Sequence, residues 1–164
     1  MIYIKIIITT IVLGILAAGR LFCFMPIVPD FIFCMCTAYS FADKNKLRAV
    51  IFSAILAIAG SALTDRQLLY CVIEYSITSL FVCEIFRGQY KLGFVYSGAV
   101  TGLFTIVWEM LFYFLYVENK TDFANLRYII LNECVLNFIV SALVYVILFR
   151  IFNPRKKSYR ISVE

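Results

Sequence analysis

The sequence contains no histidine, only three prolines and seven glycines in 164 residues, and little charge of either sign, 15% in all. Without histidine there is no imidazole to serve as general base, to ligate zinc or haem, or to titrate near neutral pH. Most enzyme mechanisms thereby lose their commonest catalyst. The scarcity of charge excludes more. A soluble domain is about 25% charged and about 45–50% apolar, whereas here 63% of residues are hydrophobic, 17% are aromatic and mean hydropathy is +0.93. Such a composition cannot make a water-facing surface, so these residues belong in a bilayer. At about 20 apolar residues per span, they have room for five or six helices and for no folded soluble domain.

What is present is a series of apolar runs with short polar punctuation. We read spans at about Ile2–Gly19, Asp30–Ala42, Ala49–Thr64, Gln67–Phe86, Leu92–Val117 and Tyr128–Phe152. Between them lie a connector Arg20–Pro29, a basic loop Asp43–Arg48, a turn at Asp65-Arg66, a loop Arg87–Lys91 and a polar loop Glu118–Arg127. The runs are too long and too evenly apolar for barrel strands, which alternate, so the fold class expected is an all-α polytopic bundle of about six transmembrane helices. The second span is short, and Pro26 and Pro29 break the stretch before it, so it is bent or partly re-entrant unless Leu21–Val28 contributes. Residues 1–152 read as one transmembrane domain and 153–164 as a basic cytoplasmic tail.

Three features have plain explanations. The six cysteines (Cys23, Cys34, Cys36, Cys71, Cys83 and Cys134) sit in or beside apolar runs and read as small hydrophobes packed among helices. Cys34-Met35-Cys36 lacks the spacing and the second ligand pair of a metal site. Lys5, the apolar stretch Ile6–Ala18 and the small residues Ala17-Ala18-Gly19 resemble a secretory signal, but Arg20 and the hydrophobic continuation favour an uncleaved first span.

The net charge of +5 is scattered between spans and reads as topology information, not as a nucleic-acid surface. In a six-span arrangement eleven lysines and arginines fall on the side of Lys5, Lys44, Arg87 and Arg155, and four (Arg20, Arg66, Lys120 and Arg127) on the other, which puts both ends in the cytoplasm.

Four glutamates lie inside spans: Glu74, Glu84, Glu109 and Glu133. A charge at a helix centre costs about 2.5–3.5 kcal/mol on insertion scales, so such residues face protein or water. Glu84 has Arg87 three residues on, a local ion pair at the cytoplasmic end. Glu109 extends a stripe of small and polar residues, Gly98, Gly102, Thr105, Glu109 and Tyr113, on one helical face. Glu133, Asn137, Ser141 and Tyr145 recur every four residues along the last span, and Ser53, Ala57 and Gly60-Ser61 give the third a small-residue face. These seams serve either packing within the bundle or contact with another protein or a cavity. Asp30 stands where it would cap the second span.

Over most of its length the chain resembles the rod-shape-determining membrane protein family MreD, small polytopic proteins with a Pro-Asp pair opening an early span, a Gly-x-x-x-Asp element ending the next and a Glu-x-x-x-Asn pair in the last. The corresponding residues are Pro29-Asp30, Gly60 with Asp65, and Glu133 with Asn137. The middle element departs from the pattern, because Gly60 to Asp65 is a step of five and Arg66-Gln67-Leu68-Leu69 replaces the usual glycine-rich continuation.

The resemblance implies a non-enzymatic component of the bacterial elongation machinery, in the cytoplasmic membrane with its C-terminus inside. Such a protein binds MreC directly, sits in a complex with MreB, RodA and RodA's transpeptidase partner, and helps keep cell shape by organising peptidoglycan synthesis. It carries no cofactor, metal or nucleic acid. MreD-like proteins are similar in fold to the substrate-binding (S-component) subunits of energy-coupling-factor vitamin transporters. This supplies the alternative, a small-molecule binding subunit with Glu74, Glu109 and Glu133 lining a pocket.

Overall fold

The computed structural model describes residues 2–18, 28–43, 45–64, 66–86, 93–116 and 123–152. They form six helices: α1 (Ile2–Ala18), α2 (Phe31–Ala42), α3 (Lys46–Thr64), α4 (Leu68–Ile85), α5 (Gly93–Tyr116) and α6 (Phe123–Phe152). Four of them, α3 to α6, are long and apolar enough to cross a membrane, and α1 and α2 are shorter apolar helices. The chain is an all-α membrane bundle.

The elements follow from local chemistry. Asp30 accepts the Phe33 N–H at 2.9 Å and so starts α2. Asn45 accepts the Arg48 N–H at 3.1 Å, a cap that begins α3 at Lys46 and converts the second half of the expected Asp43–Arg48 loop into helix. The expected polar loop Glu118–Arg127 is likewise shorter, because α6 begins at Phe123; no glycine or proline interrupts 123–127, and a helix satisfies its own backbone as it leaves the hydrocarbon. Glu84 pairs with Lys46 at the start of α3, and Arg87, the partner expected three residues on, lies outside the described residues. Residues 1, 19–27, 44, 65, 87–92, 117–122 and 153–164 lie outside the described residues.

At the centre stands α2. All twelve of its residues are buried, and it touches every other helix. At about 1.5 Å per residue it is about 18 Å long, well short of a hydrocarbon core of about 30 Å. It is enclosed by the other five helices. The side-chain pairs fix the directions. Cys34 lies on Asn137, Thr37 on Ser141 and Phe41 on Tyr145, so α2 and α6 run parallel. Gly60 meets Tyr75, and Lys46 meets Glu84, so α3 and α4 are antiparallel. Tyr3 of α1 reaches Arg48, which puts the start of α1 beside the start of α3.

The seams expected from the sequence face inward. A Cβ on Gly98 would come 2.8 Å from the Phe138 carbonyl oxygen, and one on Gly102 3.0 Å from Cys134 Sγ, so these glycines let α5 lie against α6. Ser53, Ala57 and Gly60 of α3 are buried too, whereas Ser61 bonds its own helix at Ile58. Cys34, Cys36, Cys71 and Cys83 are buried free thiols and Cys134 is half-buried, as packing residues should be.

Candidate functional site

Hydroxyl groups sew α2 to its neighbours. Thr37 Oγ1 lies 2.6 Å from Thr101 Oγ1 and 3.2 Å from Ser141 Oγ, Ser97 and Ser141 share a 2.8 Å bond, and Ser40 meets Ser79 at 2.8 Å. One turn further along, Asn137 donates from Nδ2 to Thr105 Oγ1 at 3.0 Å and accepts the Asp30 N–H on Oδ1 at 2.8 Å. The ladder leads to the open end of α2, where the charged groups gather.

Asp30 is the first of these. Its carboxylate caps α2 and also receives the Tyr75 hydroxyl, at 3.3 and 3.4 Å from the two oxygens. Tyr75 rests against Gly60, where a Cβ would fall 2.5 Å from the phenolic oxygen. Only glycine leaves space for that ring between α3 and α4.

Beyond Asp30 lies Arg66, with a side chain only 17% exposed. It donates from Nη2 to Glu109 Oε1, stands 3.7 Å from Glu74 Oε2 and covers the Phe112 ring at 5.0 Å from its centroid. Glu74 is buried, and its Oε2 receives no hydrogen bond. Tyr113, one turn beyond Glu109 on α5, likewise has a buried hydroxyl without a hydrogen-bond partner among the described residues. Glu133 lies within electrostatic range of Asp30, Arg66 and Glu109. Two carboxylates, Glu74 and Glu109, thus engage one guanidinium inside the bundle. No three His, Cys, Asp or Glu side chains among the described residues come close enough to hold a metal ion.

The sequence-derived site residues separate into two groups. Gly98, Gly102, Thr105 and Ser141, with Asn137, are buried in the α2–α5–α6 interior, where they pack this bundle and leave no surface for a partner helix. Asp30, Glu109, Glu133 and Asn137 converge on the Arg66 end; Gly60 joins them through Tyr75, and Pro29 immediately precedes the cap. Asp65 falls outside the described residues.

Sequence reasoning missed Arg66, Tyr75, Thr37, Ser97 and Thr101. Ser97, Thr101 and Thr105 follow one another at steps of four, one residue away from the glycine stripe, so that signal was present. Arg66 gave none, because a lone arginine at a short turn is ordinary topology anchoring. Comparison with models of known protein families, with curated proteins and with solved structures found no match for this chain.

Proposed function

We propose that this chain is a non-enzymatic membrane component of the bacterial cell-elongation complex, of the MreD kind. On this reading it binds MreC directly within an assembly containing MreB, RodA and RodA's transpeptidase partner. The observation that supports this reading is convergence. The three sequence elements on which the resemblance rests come from distant parts of the chain, yet Asp30, Gly60 and Asn137 are linked through one backbone hydrogen bond and the Tyr75 side chain. Chance likeness among apolar sequences gives no reason for motif residues to meet.

The end bearing Tyr3, Lys46, Arg48 and Arg150 is assigned to the cytoplasm, and the end bearing Arg66 and Arg127 to the outside, from the eleven-to-four distribution of basic residues. The membrane is then the bacterial cytoplasmic membrane, with both ends inside. Because the glycine and asparagine seams are consumed in internal packing, the surface offered to MreC lies on the exposed helix faces, such as that of Ile51, Ile55 and Ile58 on α3. The test is co-purification with MreC from the same organism. Photo-crosslinking residues placed at Ile55, Leu103 and Leu143 in turn, all exposed, would identify the face. Failure to recover MreC with well-folded protein, and failure to crosslink it from any of the three helices, would sink the proposal.

The buried Glu74 oxygen that receives no hydrogen bond, and the buried Tyr113 hydroxyl that finds no hydrogen-bond partner among the described residues, favour a second reading, a small-molecule binding subunit of a vitamin transporter with its ligand at the Arg66 end. Ligand-dependent thermal stabilisation by a vitamin, lost in Glu74→Gln, is the result expected for it. A flat response to a vitamin panel would remove it.

A further inference from the structure

Between the Arg66-end halves of α5 and α6 the surface is indented. A groove of about 360 Å³ is lined by Ile106 and Met110 of α5 and by Leu126, Arg127, Ile130 and Leu131 of α6. That volume falls within the range of small-molecule sites, about 300–1,000 Å³. Five of the six lining residues are apolar, and Ile130 is buried whereas Leu131 and Ile106 are open to the surroundings. The sixth, Arg127, is exposed and makes no ion pair with any described residue. Glu109 does not neutralise it, because Arg66 engages that carboxylate.

Depth says what meets this guanidinium. Arg127 and Arg150 are the exposed arginines of α6, separated by about 35 Å of helix at 1.5 Å per residue. A hydrocarbon core is about 30 Å thick. The two arginines therefore bracket it, and Arg127 lies at headgroup level while Ile130 and Leu131 descend into the acyl region. A phosphodiester is the anion the bilayer supplies at that depth, and guanidinium groups bind phosphate oxygens through paired N–H donors.

We propose that this groove is a binding site for one phospholipid, with an acyl chain laid along Ile106, Met110, Ile130 and Leu131 and the phosphate held by Arg127. A chain seated in the indentation is in contact on several sides, whereas one against the convex face of α1 or α3 touches a single surface. The lipid at this position is retained where its neighbours exchange. The site is independent of any MreC contact.

The experiment is native mass spectrometry of the full chain in mild detergent after delipidation, titrated with palmitoyl-oleoyl phosphatidylglycerol and, separately, with diolein, which has the chains but no phosphate. Wild type should hold one phosphatidylglycerol. Arg127→Gln should weaken that binding about tenfold, the scale of one charge-assisted contact, and leave diolein binding unchanged. Leu131→Trp, which fills the groove from its exposed side, should weaken both lipids. Arg150→Gln, at the other end of α6, should bind phosphatidylglycerol within twofold of wild type. The proposal is overturned if Arg127→Gln and Leu131→Trp both retain the lipid as wild type does, if Arg150→Gln loses it equally, or if a second polypeptide crosslinks from position 131 and excludes it. Melting temperatures establish that each variant is folded, and Leu131→Trp decides the matter if Arg127→Gln is not.

Discussion

The backbone N–H of Asp30 donates to Oδ1 of Asn137 at 2.8 Å, a bond across 107 residues of sequence that fastens the start of α2 to the middle of α6. The same asparagine donates to Thr105 on α5, and its carbonyl accepts the Cys34 thiol at 3.4 Å. One side chain thus holds three helices at the point where the central one begins. Asn137→Leu leaves the part-buried Asp30 N–H without its acceptor and takes from the Thr105 hydroxyl the donor it accepts from, although that hydroxyl keeps its bond to the Thr101 carbonyl. The substitution should destabilise the bundle by about 1–3 kcal/mol. Asn132→Leu, which loses only a bond to Tyr128 on its own helix, should cost under about 0.5 kcal/mol. Thermal unfolding of both variants in the same detergent tests the contrast; equal losses would contradict the role assigned to Asn137.

Glycine substitutions separate packing from propensity. At Gly98 a methyl group meets the Phe138 carbonyl, a backbone atom that cannot rotate away, so Gly98→Ala should push α5 from α6 and cost about 1–3 kcal/mol. At Gly14 a methyl group meets nothing within 4 Å, so Gly14→Ala should be neutral or stabilising by up to about 1 kcal/mol. Melting temperatures moving in the same direction would contradict this.

Arg66 and Glu109 form the ion pair at the heart of the polar cluster, each with a side chain less than one-fifth exposed. Arg66→Met strands Glu109 and Glu74 among other carboxylates and should cost about 3–5 kcal/mol. Glu109→Gln removes one of those charges, so the double variant Arg66→Met/Glu109→Gln should lose less than the sum of the singles. A double-mutant cycle measured by unfolding gives the coupling, expected at about 0.5–3 kcal/mol. Strict additivity would show that the two side chains act independently.

At the opposite end, Asp43 links α2 to α3. Burial alone would raise its pKa, but two hydrogen bonds from Arg48, the Asn45 N–H at 2.9 Å and the Tyr39 hydroxyl at 2.8 Å outweigh it, and the carboxyl is held below its usual range. With the folded pKa depressed, the ionised group contributes stability in full above its unfolded value of about 3.9, and the contribution disappears as pH falls through the lower folded value. Asp43→Asn should therefore be less stable than wild type at pH 7, with the difference shrinking below pH 4. Unfolding curves between pH 3 and 7 measure it, and a gap that stays constant or widens in acid contradicts the assignment.

The membrane character, the helix count and the inward seams were legible because hydropathy and a 3.6-residue period survive in a single sequence. Gly98 and Gly102 on α5, and Asn137 and Ser141 on α6, each stand four residues apart, which is enough to place each pair on one face of its helix. Which object that face meets is not encoded locally, and here it is the rest of the same bundle. The start of α6 was less legible, since polar residues near a span end suit a loop and an interfacial helix equally. Arg66 was illegible for a different reason. Its partners Glu74 and Glu109 are eight and forty-three residues away, and only the crossing of α4 and α5 brings them together.

The enclosure of α2 also constrains how the molecule is made. Twelve residues starting at a carboxylate form too short a segment to enter a bilayer alone, and lipid is nowhere in contact with the finished helix. Ser79 follows its partner Ser40 by 39 residues, but the partners on α5 and α6, Thr101, Asn137 and Ser141, are translated 64 to 107 residues after the residues they bond. During synthesis α2 must therefore wait, sheltered by α1, α3 and α4 or held by the insertion machinery, until the last helix arrives to close the bundle around it.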